Sequence, residues 1–166
     1  MTYPQGVDAA VLLAITESVE RARRLAQAAH AGQVDKAGRD YYESHLLDVH
    51  RRVVIYGGNA DEQAAAWLHD VVEDTPVTEL DLLSAGFSDT TVLIVHLMTK
   101  QEGEDPALYY ARLRAYEPAR RLKLDADMAS NTDPSRLAAL DEASRARLSA
   151  KYEKGQAQLR VLPGAG

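Results

Sequence analysis

With 166 residues and no cysteine, the chain has room for one hydrophobic core, and disulfides, thiolate metal sites and cysteine nucleophiles are excluded together. Its 25 acidic residues outnumber 19 basic ones, and the net charge of -6 argues against a general nucleic-acid binder, whose phosphate contacts need a basic face. No apolar run approaches the roughly eighteen residues of a membrane span and no charged-then-apolar leader is present, so a soluble, cytoplasmic domain over residues 1–160 with a flexible tail at 161–166 is expected, and any metal must sit on His, Asp and Glu.

Apolar positions recur at three- and four-residue spacing in a chain rich in Ala, Leu, Arg and Glu, which predicts an all-α, single-domain helical bundle. The first helix is expected from Asp8 to about His30, with Val11, Leu12, Ile15, Val19, Ala22 and Ala26 on one face. The polar loop "AGQVDKAGRDYY" follows. A second helix, Glu43 to Tyr56, ends where Gly57 or Gly58 can take the left-handed conformation. The third starts near Asp61 and stops at "EDTP", because Pro76 disfavours helical geometry at Thr75. Shorter helices are expected over Thr78 to Ala85, Ser88 to Met98, Pro106 to Tyr116 and Pro118 to about Ser130. A last one begins after "NTDP", with a break near Leu140.

The end of the third helix, "WLHDVVEDTP", carries the chemistry. At a turn of about 100° per residue, His69, Asp70, Glu73 and Asp74 fall within an arc of about 140°. Three carboxylates at the negative end of a helix dipole are each unfavourable by roughly 0.3–1 kcal/mol even when exposed, so arginines or a divalent cation should compensate. His69 and Asp70 lie inside the apolar run, where an imidazole and a carboxylate are costly to bury unless bonded. Both are ordinary ligands for Mn, Fe or Zn.

Two residues cannot make a site, and the other histidines are His30, His45, His50 and His96. His96, in "VLIVHLM", reads as a core or boundary residue hydrogen-bonded to backbone, and His50, before two arginines, as surface. His45 lies one helix before His69, so an antiparallel helix pair could bring the two together. Asp127 and Asn131, four apart, share a helical face, although "NTDP" is also a good cap in which Asn131 or Asp133 bonds the first amides of the next helix.

Taken together, "AHAGQVDKAGRDYYESH", "HDVVEDT" and "KLDADMASN" resemble the hydrolase domain of RelA/SpoT-type alarmone enzymes and the stand-alone small alarmone hydrolases of the HD phosphohydrolase superfamily, over about residues 22 to 137. The resemblance implies one divalent metal, most often Mn2+ with Fe, Zn or Co as alternatives, held by His45, His69, Asp70 and Asp127. It implies that Glu73 and Asp74 act on the water and that guanosine tetra- or pentaphosphate loses its 3'-pyrophosphate. His30 is then a neighbour of the site and not a ligand.

Departures from the family pattern are local. Asp35 stands before Lys36 where the family has Arg-Lys against the guanine, and Leu46 follows His45 where it has Pro. One extra residue lies between Lys36 and His45; counting without it would put Ser44 in the ligand position, but His45 keeps the spacing to His69. Lys123 is four residues before Asp127 where three is usual, which makes Asp125 a rival ligand. Lys36, Arg39 and Lys100 are the candidates for distal phosphates, and Tyr42 and Asn131 for the nucleoside. The competing readings are an HD phosphohydrolase for another nucleotide and a non-catalytic nucleotide-sensing module.

Overall fold

The computed structural model describes residues 17–161. The expected helix face at Val11, Leu12 and Ile15 and most of the expected tail lie outside the described residues. Among the described residues the fold is helical, and the only strand-like feature is an isolated bridge between Val34 and Asp40. No helix there is long and apolar enough to cross a membrane.

Helix α1 (Ser18–Ala29) buries Ala22, Leu25 and Ala26 and lies along α3 (Ala60–Leu68). A π-helical turn (Tyr42–Leu46) leads directly into α2 (Leu47–Ile55), which closes at Gly57 with φ 79°, a value that favours glycine. Helix α3 is the central element. A capping box between Asn59 and Glu62 starts it, its residues Ala64 to Leu68 are all buried, and α1, α2 and α6 pack around it.

The third helix was expected to be continuous to "EDTP"; instead α3 ends at Leu68 and a short α4 (Val71–Asp74) follows. His69 supplies the reason. Its Nδ1 donates to the Ala66 carbonyl at 2.7 Å, the acceptor that the Asp70 amide would take in an unbroken helix.

Helix α5 (Glu79–Ser84) opens with a Thr78–Asp81 capping box, and α6 (Asp89–Met98) with Ser88 as cap. Helix α7 (Pro106–Arg114) is capped by Asp105, and Arg112 reaches from it to the His96, Leu97 and Thr99 carbonyls, closing the C-terminus of α6. Helix α8 (Glu117–Arg121) then runs without a break through a π-helical stretch (Leu122–Met128) into α9 (Ala129–Asn131). Asp133 caps α10 (Pro134–Ala138), and Asp141 caps α11 (Glu142–Arg160), which packs on α7 and on the second π-helical stretch.

Candidate metal centre

Both π-helical segments and the α3–α4 break point side chains at one spot. His45 Nε2 lies 3.3 Å from Asp127 Oδ1 and 3.7 Å from Asp70 Oδ2. His69 Nε2 lies 3.0 Å from Asp70 Oδ2 and 3.7 Å from Asp127 Oδ1. The two imidazoles and the Asp127 side chain are almost wholly buried, while Asp70 opens toward a cleft. Asp125, the rival of Asp127, faces solvent, and Ser44, the rival of His45, bonds Asp35 instead.

The donors fit a cation. His69 Nδ1–H is committed to the Ala66 carbonyl, so in the neutral ring Nε2 carries a lone pair, buried without a hydrogen-bond partner and aimed at two carboxylate oxygens. Such an arrangement repels itself unless a proton or a metal stands in the middle. Bonds of about 2.0–2.2 Å to one ion set its ligand atoms about 3–3.5 Å apart, close to the spacing found. One donor atom from each of His45, His69 and Asp70 lies within 4.8 Å of the others, so these three fit a metal site of mixed imidazole and carboxylate donors, and Asp127 Oδ1 lies 3.3 and 3.7 Å from the two imidazole Nε2 atoms.

Neighbours hold these donors in place. The Tyr41 hydroxyl donates to Asp70 Oδ2 at 2.5 Å, and its ring lies between those of His30 and His45. His45 Nδ1 meets Ser130 Oγ at 3.1 Å. Lys123 Nζ and Asn131 Nδ2 reach the two oxygens of Asp127, at 2.6 and 2.7 Å. Asn131 is free to do so because Asp133 takes the capping role. Burial disfavours a proton on His69, but the Asp70 and Asp127 carboxylates outweigh it and hold its pKa well above the ordinary imidazole value. Burial likewise opposes charge on Asp127, and Lys123 with the two histidines overrides it, keeping the carboxyl well below its usual range. Of the two compensations expected for the acids at this helix end, arginines or a divalent cation, the first is not what is found: Asp70 meets Tyr41 and the two histidines, Glu73 the Lys100 amide and Asp74 the Gln33 amide.

A cleft of about 490 Å³ opens beside the donors. Glu73 and Asp74 are exposed on its edge: Glu73 Oε2 accepts from the Lys100 amide at 3.0 Å, and Asp74 Oδ2 from Gln33 Nε2 at 3.0 Å. Gln33 Oε1 is in turn 2.7 Å from Nδ1 of the buried His30, whose pKa burial lowers, so a neutral imidazole orients the amide that holds Asp74.

Lys36, Arg39, Lys100 and Asn131 line the cleft, but Arg39 is already paired with Asp35 at 3.0 Å. Tyr42 does not line it. Its ring stacks on Trp67 in the core, centroids 5.4 Å apart, and its hydroxyl accepts from Arg23, so its place in the nucleoside group is corrected to a core residue. The neighbour Tyr41 takes the cleft position. His50, expected at the surface, is half-buried and stacked on Trp67 at 4.5 Å. His96 pairs with Glu79 and not with backbone. Sequence reasoning missed Gln33, Tyr41 and Ser130, and the far wall of the cleft, where α11 contributes Leu148, Lys151 and Tyr152. Burial pushes the Tyr152 hydroxyl up to about 12, so it stays a neutral donor.

Residues 22–128 match the family model described as HD domain, a span that includes His45, His69, Asp70 and Asp127. The chain belongs to the HD domain family. Among solved structures it is similar to one described as a metazoan ortholog of SpoT that hydrolyzes ppGpp and plays a role in starvation responses. The TM-score is 0.72 at 21% identity, over 96% of this chain and 89% of the other. That likeness extends the shared fold past the family-model span into α11. No curated protein matches the chain.

Proposed function

We propose that this HD-domain chain is a metal-dependent phosphohydrolase and that its substrate is guanosine tetra- or pentaphosphate, cleaved to GDP or GTP and pyrophosphate. One observation carries the reading: two imidazole Nε2 atoms and two carboxylates converge in a cleft that also holds a carboxylate pair and, in a protein of net charge -6, six lysines and arginines. The metazoan protein that shares the fold hydrolyzes ppGpp, which supports the choice of nucleotide.

His45, His69, Asp70 and Asp127 would hold the cation, with Mn2+ the first choice. When bound, it supplies the Lewis acid that lowers the pKa of water and offsets charge at phosphorus. Glu73 uses the oxygen not engaged by the Lys100 amide to take a proton from the attacking water. The new bond joins that oxygen to the phosphorus on O3', the P–O3' bond breaks, and pyrophosphate departs. Asp74, fixed by Gln33, orients the water or delivers a proton to the departing O3'. Lys36 and Lys100 face the substrate phosphates and Asn131 the ribose; Arg39 has a weaker claim because Asp35 neutralises it.

A second reading, the same chemistry on another nucleotide, is favoured by Asp35, which stands where the alarmone hydrolase pattern has a base-stacking arginine. A product assay with guanosine tetraphosphate beside a nucleotide panel separates the two, with metal analysis of the purified protein alongside. Pyrophosphate release from the alarmone is expected. Turnover of another nucleotide without it sinks the guanosine claim, and no turnover of any nucleotide by metal-loaded protein sinks the enzyme.

A further inference from the structure

His30 is 1% exposed and supplies none of the four donors, yet a polar ring is costly to bury without a partner. Its Nδ1 stands 2.7 Å from Gln33 Oε1, and Gln33 Nε2 stands 3.0 Å from Asp74 Oδ2. Its Nε2 is buried with no hydrogen-bond partner. The Gln33 backbone is fixed on both sides. Its N–H donates to the His30 carbonyl at 3.0 Å across a turn in which Gly32 takes φ 79°, and its carbonyl accepts from the Tyr41 N–H at 2.9 Å. The Tyr41 ring packs on the imidazole, centroids 5.3 Å apart.

The partnerless Nε2 decides which way the protons point. An amide has an acceptor on one side and donors on the other, so the chain of bonds can run in one of two senses. In the first, His30 Nδ1–H donates to Gln33 Oε1, Gln33 Nε2–H donates to Asp74, and the orphan Nε2 is a bare lone pair. In the second, a protonated Asp74 donates to the Gln33 oxygen, the amide turns round to donate to Nδ1, and the ring carries its proton on Nε2, a buried N–H with no acceptor. Orphaned buried N–H groups are the rarer case. Burial lowers the His30 pKa, so the ring is neutral and has one proton to place. The first sense therefore holds, and a donated amide N–H favours the ionised form of the carboxyl it meets.

We infer that His30 and Gln33 are positioning residues for Asp74: a one-way relay of donated hydrogen bonds from the buried ring holds Asp74 as an acceptor, so that it orients the attacking water and does not supply the proton to O3'. The inference rests on the phosphohydrolase reading and chooses between the two roles given there to Asp74. The proton that O3' gains is balanced by the one that Glu73 takes from the water, with solvent at the exposed rim carrying it across.

The first test needs no turnover. Heteronuclear NMR of the imidazole nitrogens, on the folded protein without metal and with diamagnetic Zn2+ added, should show His30 as the Nδ1–H tautomer near neutral pH. An Nε2–H tautomer or a doubly protonated ring in either form overturns the relay. Kinetics on guanosine tetraphosphate give the second test. Gln33→Leu should lower kcat about tenfold with KM unchanged, the loss expected for one hydrogen bond to a charged group. Gln33→Leu combined with Asp74→Asn should be no worse than Asp74→Asn alone. His30→Asn, whose amide nitrogen falls where Nδ1 lay, should keep most of kcat, and His30→Gln, whose amide nitrogen falls nearer Nε2, should not. Full kcat in Gln33→Leu, additive losses in the double variant, or equal losses in the two His30 variants overturn the relay. Wild-type protein that shows the Nδ1–H tautomer yet releases no pyrophosphate from guanosine tetraphosphate overturns the proposed reaction and leaves the bonding of His30, Gln33 and Asp74 standing.

Discussion

Replacing Lys123 by Met keeps the length and apolar stem of the side chain and deletes the ammonium that sits 2.6 Å from Asp127 Oδ2. Asp127 is 5% exposed and Lys123 19% exposed, so solvent can replace little of what is lost. Removing one partner of a buried pair typically destabilises by about 3–5 kcal/mol. Asn131 and His45 still contact the other oxygen, which places the metal-free protein at the lower end, about 3 kcal/mol, or a fall in Tm of roughly 6–12 °C for a chain of this size. With a cation bound among the donors, Asp127 has a second positive partner, and the loss should shrink to about 1 kcal/mol. The thermodynamic cycle then requires the variant to bind the metal about 2 kcal/mol more tightly than the wild type, roughly thirtyfold. Thermal melts with and without Mn2+, together with a metal titration, measure every arm of the cycle. An equal loss of Tm in both forms, or no gain in metal affinity, would refute the assignment of Asp127 to the cation.

Tyr41→Phe removes only the hydroxyl on Asp70 Oδ2 and should weaken metal binding by about tenfold, as losses of hydrogen bonds behind metal ligands do, with the helical circular dichroism unchanged. Glu73→Gln should abolish hydrolysis by at least about a hundredfold while metal content stays that of the wild type, since Glu73 contacts the Lys100 amide and none of the donors. Tyr42→Ala should cost about 3 kcal/mol in urea unfolding by emptying the stack on Trp67, and it should leave KM of the folded enzyme unaltered. Glu104, paired with Arg112 at 2.6 Å, has its pKa lowered to about 2 by that hydrogen bond. A depressed carboxyl stabilises the fold above its unfolded pKa and loses that contribution as pH falls through the folded one. The Tm gap between wild type and Glu104→Gln should therefore be constant above about pH 5 and close toward pH 2.

Most helices were legible because their stops and starts are local chemistry: Gly57 after α2, Pro76 after the acid pair, Asp133 before Pro134. His69 and Asp70 could be singled out from the residues themselves, since histidine next to aspartate within an apolar run has few satisfied alternatives, while His45 and Asp127 entered the candidate set only through the family resemblance. What stayed hidden depends on neighbours far away in sequence. The break after Leu68 needs the knowledge that His69 turns back on Ala66, and periodicity carries none of that. His50 and Tyr42 both flank Trp67, a contact between separate helices that turned a presumed surface histidine and a presumed ligand contact into core. The wall from α11 had one faint sign, Gly155 within a polar helix. A Cβ there would stand 2.5 Å from the Tyr110 hydroxyl and 2.6 Å from Met128 Cε, so the glycine marks where α11 presses against the cleft lining.

Among the described residues two stretches are π-helical: one holds the added residue between Lys123 and Asp127, and the other follows the loop after Lys36, in the span up to His45 that is also one residue longer than the alarmone hydrolase pattern. A π turn closes over five residues where an α turn closes over four, as in the bond from the Leu47 amide to the Tyr42 carbonyl, so it absorbs one added residue within a helix. Without it, the addition between Lys123 and Asp127 would rotate everything beyond by about 100° and carry Asp127 off the inner face. With them, Leu46 in the first turn and Val49 and Val53 beyond it remain buried, as do Ala126, Met128 and Ser130 within and after the second. Of the adjacent tyrosines, Tyr41, just before the first π turn, faces Asp70, and Tyr42, its first residue, faces Trp67. The apparent mismatch before Asp127 is thus absorbed within the π-helical stretch that sets its carboxylate beside the two imidazoles.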